Sequence, residues 1–171
     1  MITFDRRRLK AYTQDIVLVV DNAPNYMDVR ATFRGHQAGK IMGIIEGSRM
    51  LLSDFIVNNT VPIRYPFAHS ILVSFFGCRR VDFRGMGLGR RIMQRFLEEA
   101  QLRGIQEIWG SITERDAKGT PYLLNFYRKI GFAIVQADSE CLQNAKWKII
   151  LQNRCNASGK TPDYSRQKGM P

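Results

Sequence analysis

The chain has 171 residues, 44% of them hydrophobic, which suits one domain with a single core. Its formal net charge of +11 favours anionic partners such as nucleic acid, a phosphorylated cofactor or an acidic protein surface, without choosing among them. No apolar run approaches the roughly 18 residues of a membrane span and the charged start carries no secretory signal, so we expect a cytoplasmic protein without membrane contact.

The first half of the chain predicts an antiparallel meander of four strands. Residues 15–20 are β-branched and end at a turn cluster, and residues 27–35 alternate apolar and polar side chains as a half-buried strand does. We expect the stretch GHQAG at 35–39 to turn the chain into a third strand at 40–47. A fourth strand is predicted at 49–59, after the short turn EGSR.

Residues 60–82 interrupt this pattern. Pro62 and Pro66 exclude a regular helix there, and the apolar run SILVSFF at 70–76 is compatible with a strand or with a buried part of an insertion. Two interpretations stay open: either 70–76 is the fourth strand, or 60–82 is an insertion. We favour the insertion, because residues 39–57 have the pattern of strands three and four.

The second half predicts helices alternating with strands: helix 88–104, strand 105–113, helix 120–131, and strands 132–137 and 146–151. Gly104 is expected to end the first helix. In the second, Thr120 is the predicted N-cap, Pro121 the first helical residue and Gly131 the C-cap. The polar stretch 153–171 predicts a disordered tail. We therefore expect one α/β domain at 1–152, with a mixed, mostly antiparallel central sheet and helices packed on it.

The segment RGMGLGRR at 84–91 places three glycines at alternate positions, between arginines and just before a predicted helix. Glycine lets a backbone approach a partner closely and adopt positive φ, and amides freed at a helix N-terminus form an anion site. The segment matches neither the P-loop string nor the dinucleotide fingerprint, whose third glycine would need a different offset. It therefore predicts a phosphate cradle of another kind.

Two motifs resemble one known family. The pattern Arg84-x-x-Gly87-x-Gly89 resembles the acyl-CoA signature of the GNAT superfamily of N-acetyltransferases, and LLNFYRKIGF at 123–132 resembles that family's helix–strand junction. The resemblance covers about residues 29–151 and is sharp only in 83–132. It implies the GNAT acyl-CoA fold, with acetyl-CoA as cosubstrate and a primary amine as acceptor. In that family the pantetheine arm of CoA pairs with the open edge of the fourth strand, where this strand splays from the fifth.

The resemblance also implies the members of a site. The amides of the loop would bind the CoA pyrophosphate and a polar residue of the second helix would contact the CoA arm, which gives a set of Arg84, Gly85, Met86, Gly87, Leu88, Gly89, Arg90 and Asn125. Tyr127 matches the family tyrosine that protonates the departing thiolate. The base that accepts the amine proton is left open among Glu114 and Asp116, just past the fifth predicted strand, Glu46 and Asp54 on earlier strands, and water.

The chain departs from the family pattern on the acceptor side. Some 25 residues separate the fourth predicted strand from Arg84, and the two helices that usually follow the first strand are missing. Three cysteines without metal-type spacing indicate a reducing compartment, and no metal site is expected. We expect a monomer or homodimer.

Two classes of function stay open. One is an N-acetyltransferase, whose acceptor could be RNA-bound; the other is a non-catalytic module that senses acyl-CoA or docks on nucleic acid through its basic surface. The presence of Arg84, Gly87, Gly89 and Tyr127 favours the enzyme. The sequence does not name the acceptor amine.

Overall fold

The computed structural model describes residues 15–58, 61–62 and 80–152. Their strands are β1 Ile16–Asn22, β2 Tyr26–Phe33, β3 His36–Glu46, β4 Arg49–Val57, β5 Val61–Pro62, β6 Arg80–Val81, β7 Glu107–Thr113, β8 Ala133–Gln136 and β9 Ala145–Gln152. Their helices are α1 Leu88–Leu102, α2 Glu114–Gly119 and α3 Leu123–Ile130. Seven strands form one sheet in the order β1-β2-β3-β4-β7-β9-β8, antiparallel except between β4 and β7. The predicted α/β class, with a mixed and mostly antiparallel sheet, is confirmed.

The predicted meander of β1 to β4 is confirmed, but one of its turns lies elsewhere. Arg34 and Gly35, with φ of 50° and 80°, form the two-residue turn between β2 and β3. Two consecutive residues at positive φ match the twist of a hairpin, so two residues suffice to reverse the chain. The prediction that GHQAG forms the turn is wrong, because His36 already begins β3.

Strand β4 lies between β3 and β7, the place expected for the fourth strand of the sheet. The segment that follows returns close to its own start, since β5 and β6 pair with Val61 opposite Val81, and both valines are buried. The run SILVSFF lies outside the described residues, as does the predicted tail at 153–171. The domain boundaries therefore stay a prediction.

The core lies on one face of the sheet, under α1. This helix buries its apolar stripe, Leu88, Ile92, Met93, Phe96 and Ala100, against the alternate residues of β2 that face it, Met27, Val29, Ala31 and Phe33. Gly104, at a φ of 73°, ends α1 as predicted, and the amide of Ile105 donates to the carbonyl of Ala100 at 3.0 Å. This arrangement is a Schellman motif, which satisfies carbonyls that the helix leaves open.

The start of α3 differs from the prediction. Thr120 is not its N-cap and Pro121 is not its first residue, because the helix begins at Leu123 after Tyr122. A separate short helix, α2, precedes α3 in the chain. Thr113 and Asp116 form the capping box at which α2 starts. Thr120 ends that helix, with its amide bonded to the carbonyl of Asp116 at 2.9 Å, and is therefore not available to cap the next one. Gly131 is the C-cap of α3, as predicted.

The face of the sheet opposite α1, called here the second face, is less apolar. Strands β1 and β2 are joined directly across residues 23–25, without the two helices that the resemblance would place there. The exposed apolar residues of β1 to β4 lie on this face, and they are Val17, Val19, Tyr26, Ile44 and Ile56. Between them lie charged side chains, including Arg30 and Lys40.

We predict that Gly43→Ala lowers the free energy of unfolding by about 1–3 kcal/mol, a typical cost of overpacking a core. A Cβ at Gly43 would lie 2.5 Å from Sδ of Met50 and 2.8 Å from the ring of Phe96. Urea denaturation measures the loss. Gly119→Ala is the control, because nothing lies within 4 Å of its Cβ position and stability should not fall. A Gly43→Ala protein as stable as the parent would contradict the described packing of α1 on β3.

Candidate active site

Two parallel strands separate in the middle of the sheet. β4 and β7 share three residue pairs, which are Arg49 with Glu107, Met50 with Ile108 and Leu51 with Trp109. At the next position β4 carries a bulge: Gly43 pairs with Leu52 and Met42 with Asp54, which leaves Ser53 as an extra residue. Because a bulge bends its strand, β4 turns away from β7 here. Beyond Leu51, the edge of β4 toward β7 has no partner strand among the described residues.

The point at which the strands still pair is held by charged side chains around Trp109. Nε of Arg49 lies 2.8 Å from Oε1 of Glu107, which ties β4 to β7. Lys148 of β9, with a side chain only 6% exposed, donates to Oε2 of Glu140 at 2.6 Å, and Arg49 donates to the same oxygen at 3.2 Å. Both cations lie over the indole ring, at 5.6 Å for Arg49 and 5.2 Å for Lys148. These contacts fix β4 against β7 at the position from which the two strands separate.

A cavity of about 510 Å³ fills the space that the separation opens. Residues 52–55 of β4 and 110–112 of β7 form its walls, and Asp116, Leu123 and Tyr127 close it from α2 and α3. A Cβ at Gly110 would lie 3.2 Å from Cβ of Leu52, so a glycine lets the two walls approach closely at the base. This volume is within the range of small-molecule sites.

Tyr127 is the buried polar residue of this cavity. Its ring is only 5% exposed and stands edge-on to Phe126 at 5.5 Å and to Phe132 at 5.3 Å. The phenol makes no hydrogen bond to the described residues. Burial raises the pKa of Tyr127 and the charge of Asp116 raises it further, so the phenol is neutral at physiological pH. The aromatic packing therefore holds a neutral phenol, with its proton, at the cavity wall.

The glycine-rich loop forms the start of α1 and borders the cavity. Gly85 and Gly87 have φ of 74° and 82°, and Gly87 is the N-cap of the helix. The amides of residues 87–90 have no acceptor among the described residues, and the first helical bond is from the amide of Arg91 to the carbonyl of Gly87, at 3.1 Å. A Cβ at Gly89 would lie 3.3 Å from the ring of Phe55, which lines the cavity. The start of α1, with these amides, and the cavity are thus neighbours.

The other predicted cofactor residues differ in what they offer. The guanidinium of Arg84 is paired with Asp82 through three hydrogen bonds, at 2.8, 3.1 and 3.2 Å, and lowers the pKa of that carboxyl. Leu88 is buried in the core and offers a ligand its backbone amide alone. Met86 packs against the core, and its amide already donates to the carbonyl of Phe83 at 3.3 Å. Arg90 and Asn125 are exposed, and Asn125 does not line the cavity.

The carboxylates predicted as bases are separated by the structure. Glu114 is outside the cavity lining and pairs with Lys118 at 3.1 Å, which lowers its pKa. Asp116 lines the cavity, and its Oδ2 accepts the amide of Thr113 at 3.1 Å and its hydroxyl at 2.6 Å. Asp54 lines the cavity from β4, whereas Glu46 does not. The sequence signal for the position of Asp116 was the spacing of Thr113 and Asp116, which is that of a capping box.

Comparison with known proteins identifies the fold. No protein-family model matches the chain, and no curated protein sequence matches it. The PaiA N-acetyltransferase of Thermoplasma acidophilum, in complex with coenzyme A, is similar with a TM-score of 0.51 and 12% identity, over 75% of this chain. An acetyltransferase of the GNAT family from Staphylococcus aureus has a TM-score of 0.52 and 11% identity, over 74% of this chain and 67% of its own.

A third similar structure is a candidate streptothricin acetyltransferase of Bacillus anthracis in complex with acetyl coenzyme A. Its TM-score is 0.51 and its identity 16%, over 83% of this chain and 68% of its own. The chain spans 62% of the length of the PaiA structure, which is less than two thirds. Identities this low establish the fold alone: the chain has the GNAT acyl-CoA fold.

Two features are absent from the described residues. None of their helices has both the length and the apolarity that crossing a membrane requires. No three His, Cys, Asp or Glu side chains among them are grouped so that they could hold a metal ion.

We predict that Tyr127 ionises at higher pH than an ordinary tyrosine. Subtracting the ultraviolet titration of Tyr127→Phe from that of the parent isolates its phenolate signal. Asp116→Asn should lower this pKa only part of the way, because burial is the larger cause of the shift. Circular dichroism at each pH confirms that the protein is folded. An ordinary titration of Tyr127 in the folded protein would show that the phenol is solvated.

Proposed function

We propose that this protein is an acetyl-CoA-dependent N-acetyltransferase that moves an acetyl group to a primary amine by direct attack. The observation that carries the proposal is the separation of β4 and β7 after three residue pairs, which opens a cavity onto a buried, neutral Tyr127. Similar folds solved with coenzyme A and acetyl coenzyme A support the choice of cosubstrate.

The donor would bind across the loop and the cavity. The amides of residues 87–90, which have no acceptor within the described part of the chain, and the positive end of the α1 dipole suit the pyrophosphate of CoA. The exposed side chain of Arg90 adds a positive charge at the same end of the helix. The pantetheine arm carries two amide groups, which find hydrogen-bonding partners on the open edge of β4 beyond Leu51. This path leads the thioester into the cavity beside Tyr127.

The reaction needs no covalent enzyme intermediate. The neutral amine attacks the thioester carbonyl, the carbon–sulfur bond breaks, and the CoA thiolate takes the hydroxyl proton of Tyr127. The same burial that raises the pKa of Tyr127 also raises the basicity of a thiolate formed beside it. The pKa values of the phenol and of the CoA thiol are therefore closer to each other in the cavity than the basicity of a thiolate in water suggests. Solvent then returns a proton to the phenolate.

The proton of the amine must also leave. Between Glu114 and Asp116, the geometry favours Asp116 for this step, because Asp116 lines the cavity whereas Glu114 lies outside it and is paired with lysine at the surface. Asn125 would act only on an outer part of the CoA arm. A cytoplasmic location, a monomeric or homodimeric state and contact with nucleic acid stay predictions.

We predict that Gly87→Ala and Gly89→Ala each weaken CoA binding about tenfold or more, as expected for the loss of hydrogen bonds to a charged group. Alanine is strained at the φ of Gly87, and a methyl group at Gly89 projects against Phe55 beside the proposed pyrophosphate site. Isothermal calorimetry with CoA measures the affinity.

Gly104→Ala is the matched control for these variants. Gly104 has a φ of 73° and open space around its Cβ position, at the opposite end of the same helix. It should cost a similar amount of stability and leave CoA affinity unchanged. Parental affinity in both loop variants would contradict the proposed donor site.

We predict that Tyr127→Phe lowers the turnover number about 10²–10⁴-fold, the usual contribution of a general acid, and leaves the affinity for acetyl-CoA nearly unchanged. The ring keeps its packing and only the proton donor is lost. Release of free thiol from acetyl-CoA over a panel of primary amines gives the rate, with Glu114→Gln as a control of near-parental rate.

An unchanged turnover in Tyr127→Phe would remove the acid role from this residue. CoA binding by the parent without turnover on any amine of the panel would favour the non-catalytic alternative.

A further inference from the structure

The cavity reaches both faces of the sheet. Paired residues of neighbouring strands point to the same face. Phe55 pairs with the buried Ile41 and contacts the ring of Tyr127, so both aromatic residues belong to the face under α1. Asp54, the next residue along β4, pairs with Met42 and therefore belongs to the second face. Asp54 and Tyr127 line one cavity from opposite sides of the sheet.

The carboxylate of Asp54 forms an ion pair with Lys40 on the second face. Nζ of Lys40 lies 2.5 Å from Oδ2 of Asp54, and the two side chains are 30% and 32% exposed. Lys40 does not line the cavity, so it reaches Asp54 from the sheet surface outside. The hydrogen bond to Asp54 raises the pKa of Lys40, which keeps the ammonium charged. The neighbouring cation, Arg30, is bound to Asp28 at 2.7 Å.

The ammonium of Lys40 resembles the group that an acceptor amine would present to Asp54. The lysine side chain ends in a primary ammonium on an unbranched chain, and Asp54 holds it at the rim of the cavity, across the sheet from the proposed acid. The other lining carboxylate, Asp116, uses one oxygen to bind two groups of Thr113. A partly exposed ion pair contributes little stability, so exchange of one ammonium for another costs little.

We propose that Asp54 binds the acceptor in its ammonium form from the second face, before this ammonium loses the proton whose departure leaves the neutral amine that attacks, and that Lys40 occupies this position until the acceptor displaces it. The inference rests on the proposed N-acetyltransferase function for the meaning of acceptor. Lys40 then acts as an internal competitor: it keeps the carboxylate neutralised when the site is empty and sets a threshold that only a charged amine overcomes. The acceptor class is a primary alkylammonium, and an alcohol of the same shape gains nothing at Asp54.

Binding of benzylamine to the CoA-saturated protein tests this exchange without any turnover. By calorimetry, Lys40→Met should lower the dissociation constant about two- to fivefold, which corresponds to removing a partly exposed competing pair. Asp54→Asn should raise it about tenfold or more, through loss of a charge-assisted hydrogen bond. In the Asp54→Asn background, Lys40→Met should give no gain. Benzyl alcohol should not distinguish the variants.

Arg30→Met is the matched control, because it removes a positive charge from the neighbouring strand without touching Asp54. It separates displacement of Lys40 from a general change in surface charge. Asp54→Ser provides a second variant if the asparagine protein melts at a lower temperature than the parent. All variants are compared by thermal unfolding with CoA bound.

Several outcomes overturn the inference. They are an unchanged or raised dissociation constant in Lys40→Met, an equal gain in Arg30→Met, and a benzylamine complex too weak to measure in Lys40→Met. The proposed function fails separately, when no amine releases thiol from acetyl-CoA although benzylamine binding follows the expected order. If amines are acetylated but Lys40→Met does not change benzylamine binding, the exchange at Asp54 is refuted and the proposed function stands.

Discussion

The structure depends on one requirement: backbone groups that leave a sheet must find other partners. β4 and β7 share three residue pairs and then separate, which leaves the edge of β4 in the middle of the domain without a partner strand from the described ranges. An exposed strand edge in the interior is costly unless a ligand or water satisfies it. The bulge at Ser53 and the glycine at position 110 serve this separation, the first by bending β4 and the second by letting the walls meet at the base.

The two sides of the opening differ in chemistry, and the difference follows from strand alternation. Along β4, Phe55 faces the apolar side with Tyr127 and the start of α1, and Asp54 faces the charged side with Lys40. In the proposed reaction, one side would offer an anionic thioester the neutral phenol and amides that have no acceptor among the described residues, while the other would offer a carboxylate to a cation. The proposed donor and acceptor would thus approach one cavity by different routes.

The sequence predicts what local patterns determine. The alternation in β2, the apolar stripe of α1 and the glycine at 104 each depend on neighbours in the chain, and each prediction holds. The turn at Arg34 does not show in the sequence, because arginine carries no preference for positive φ. Thr120 satisfied the local rule for an N-cap, but the capping box at Thr113 had started a helix earlier.

The site was harder to predict because its members meet across the sheet. The glycines before α1 predicted an anion site by a local rule, but the role of Tyr127 and the choice of CoA as the anion came from a family resemblance. The bulge at Ser53 depends on how β4 registers with β3, which no single segment encodes. The separation of Glu114 from Asp116 follows from α2, a helix that was not predicted. The sequence offered Asp54 only as one of several candidate bases. The register of β4 with β3 then placed it at the rim of the cavity on the second face.

The pairing of β4 with β7 also has a consequence for how the chain folds. The meander of β1 to β4 joins strands that are adjacent in sequence, but Arg49 meets Glu107 across 58 positions. Contacts of such separation carry a larger loop-closure entropy and form late. The nascent protein would therefore acquire its hairpins early and its binding cavity with the last long-range step. The proposed cosubstrate would bind across both strands and therefore only to the folded protein. Its binding would stabilise the folded state relative to the unfolded one.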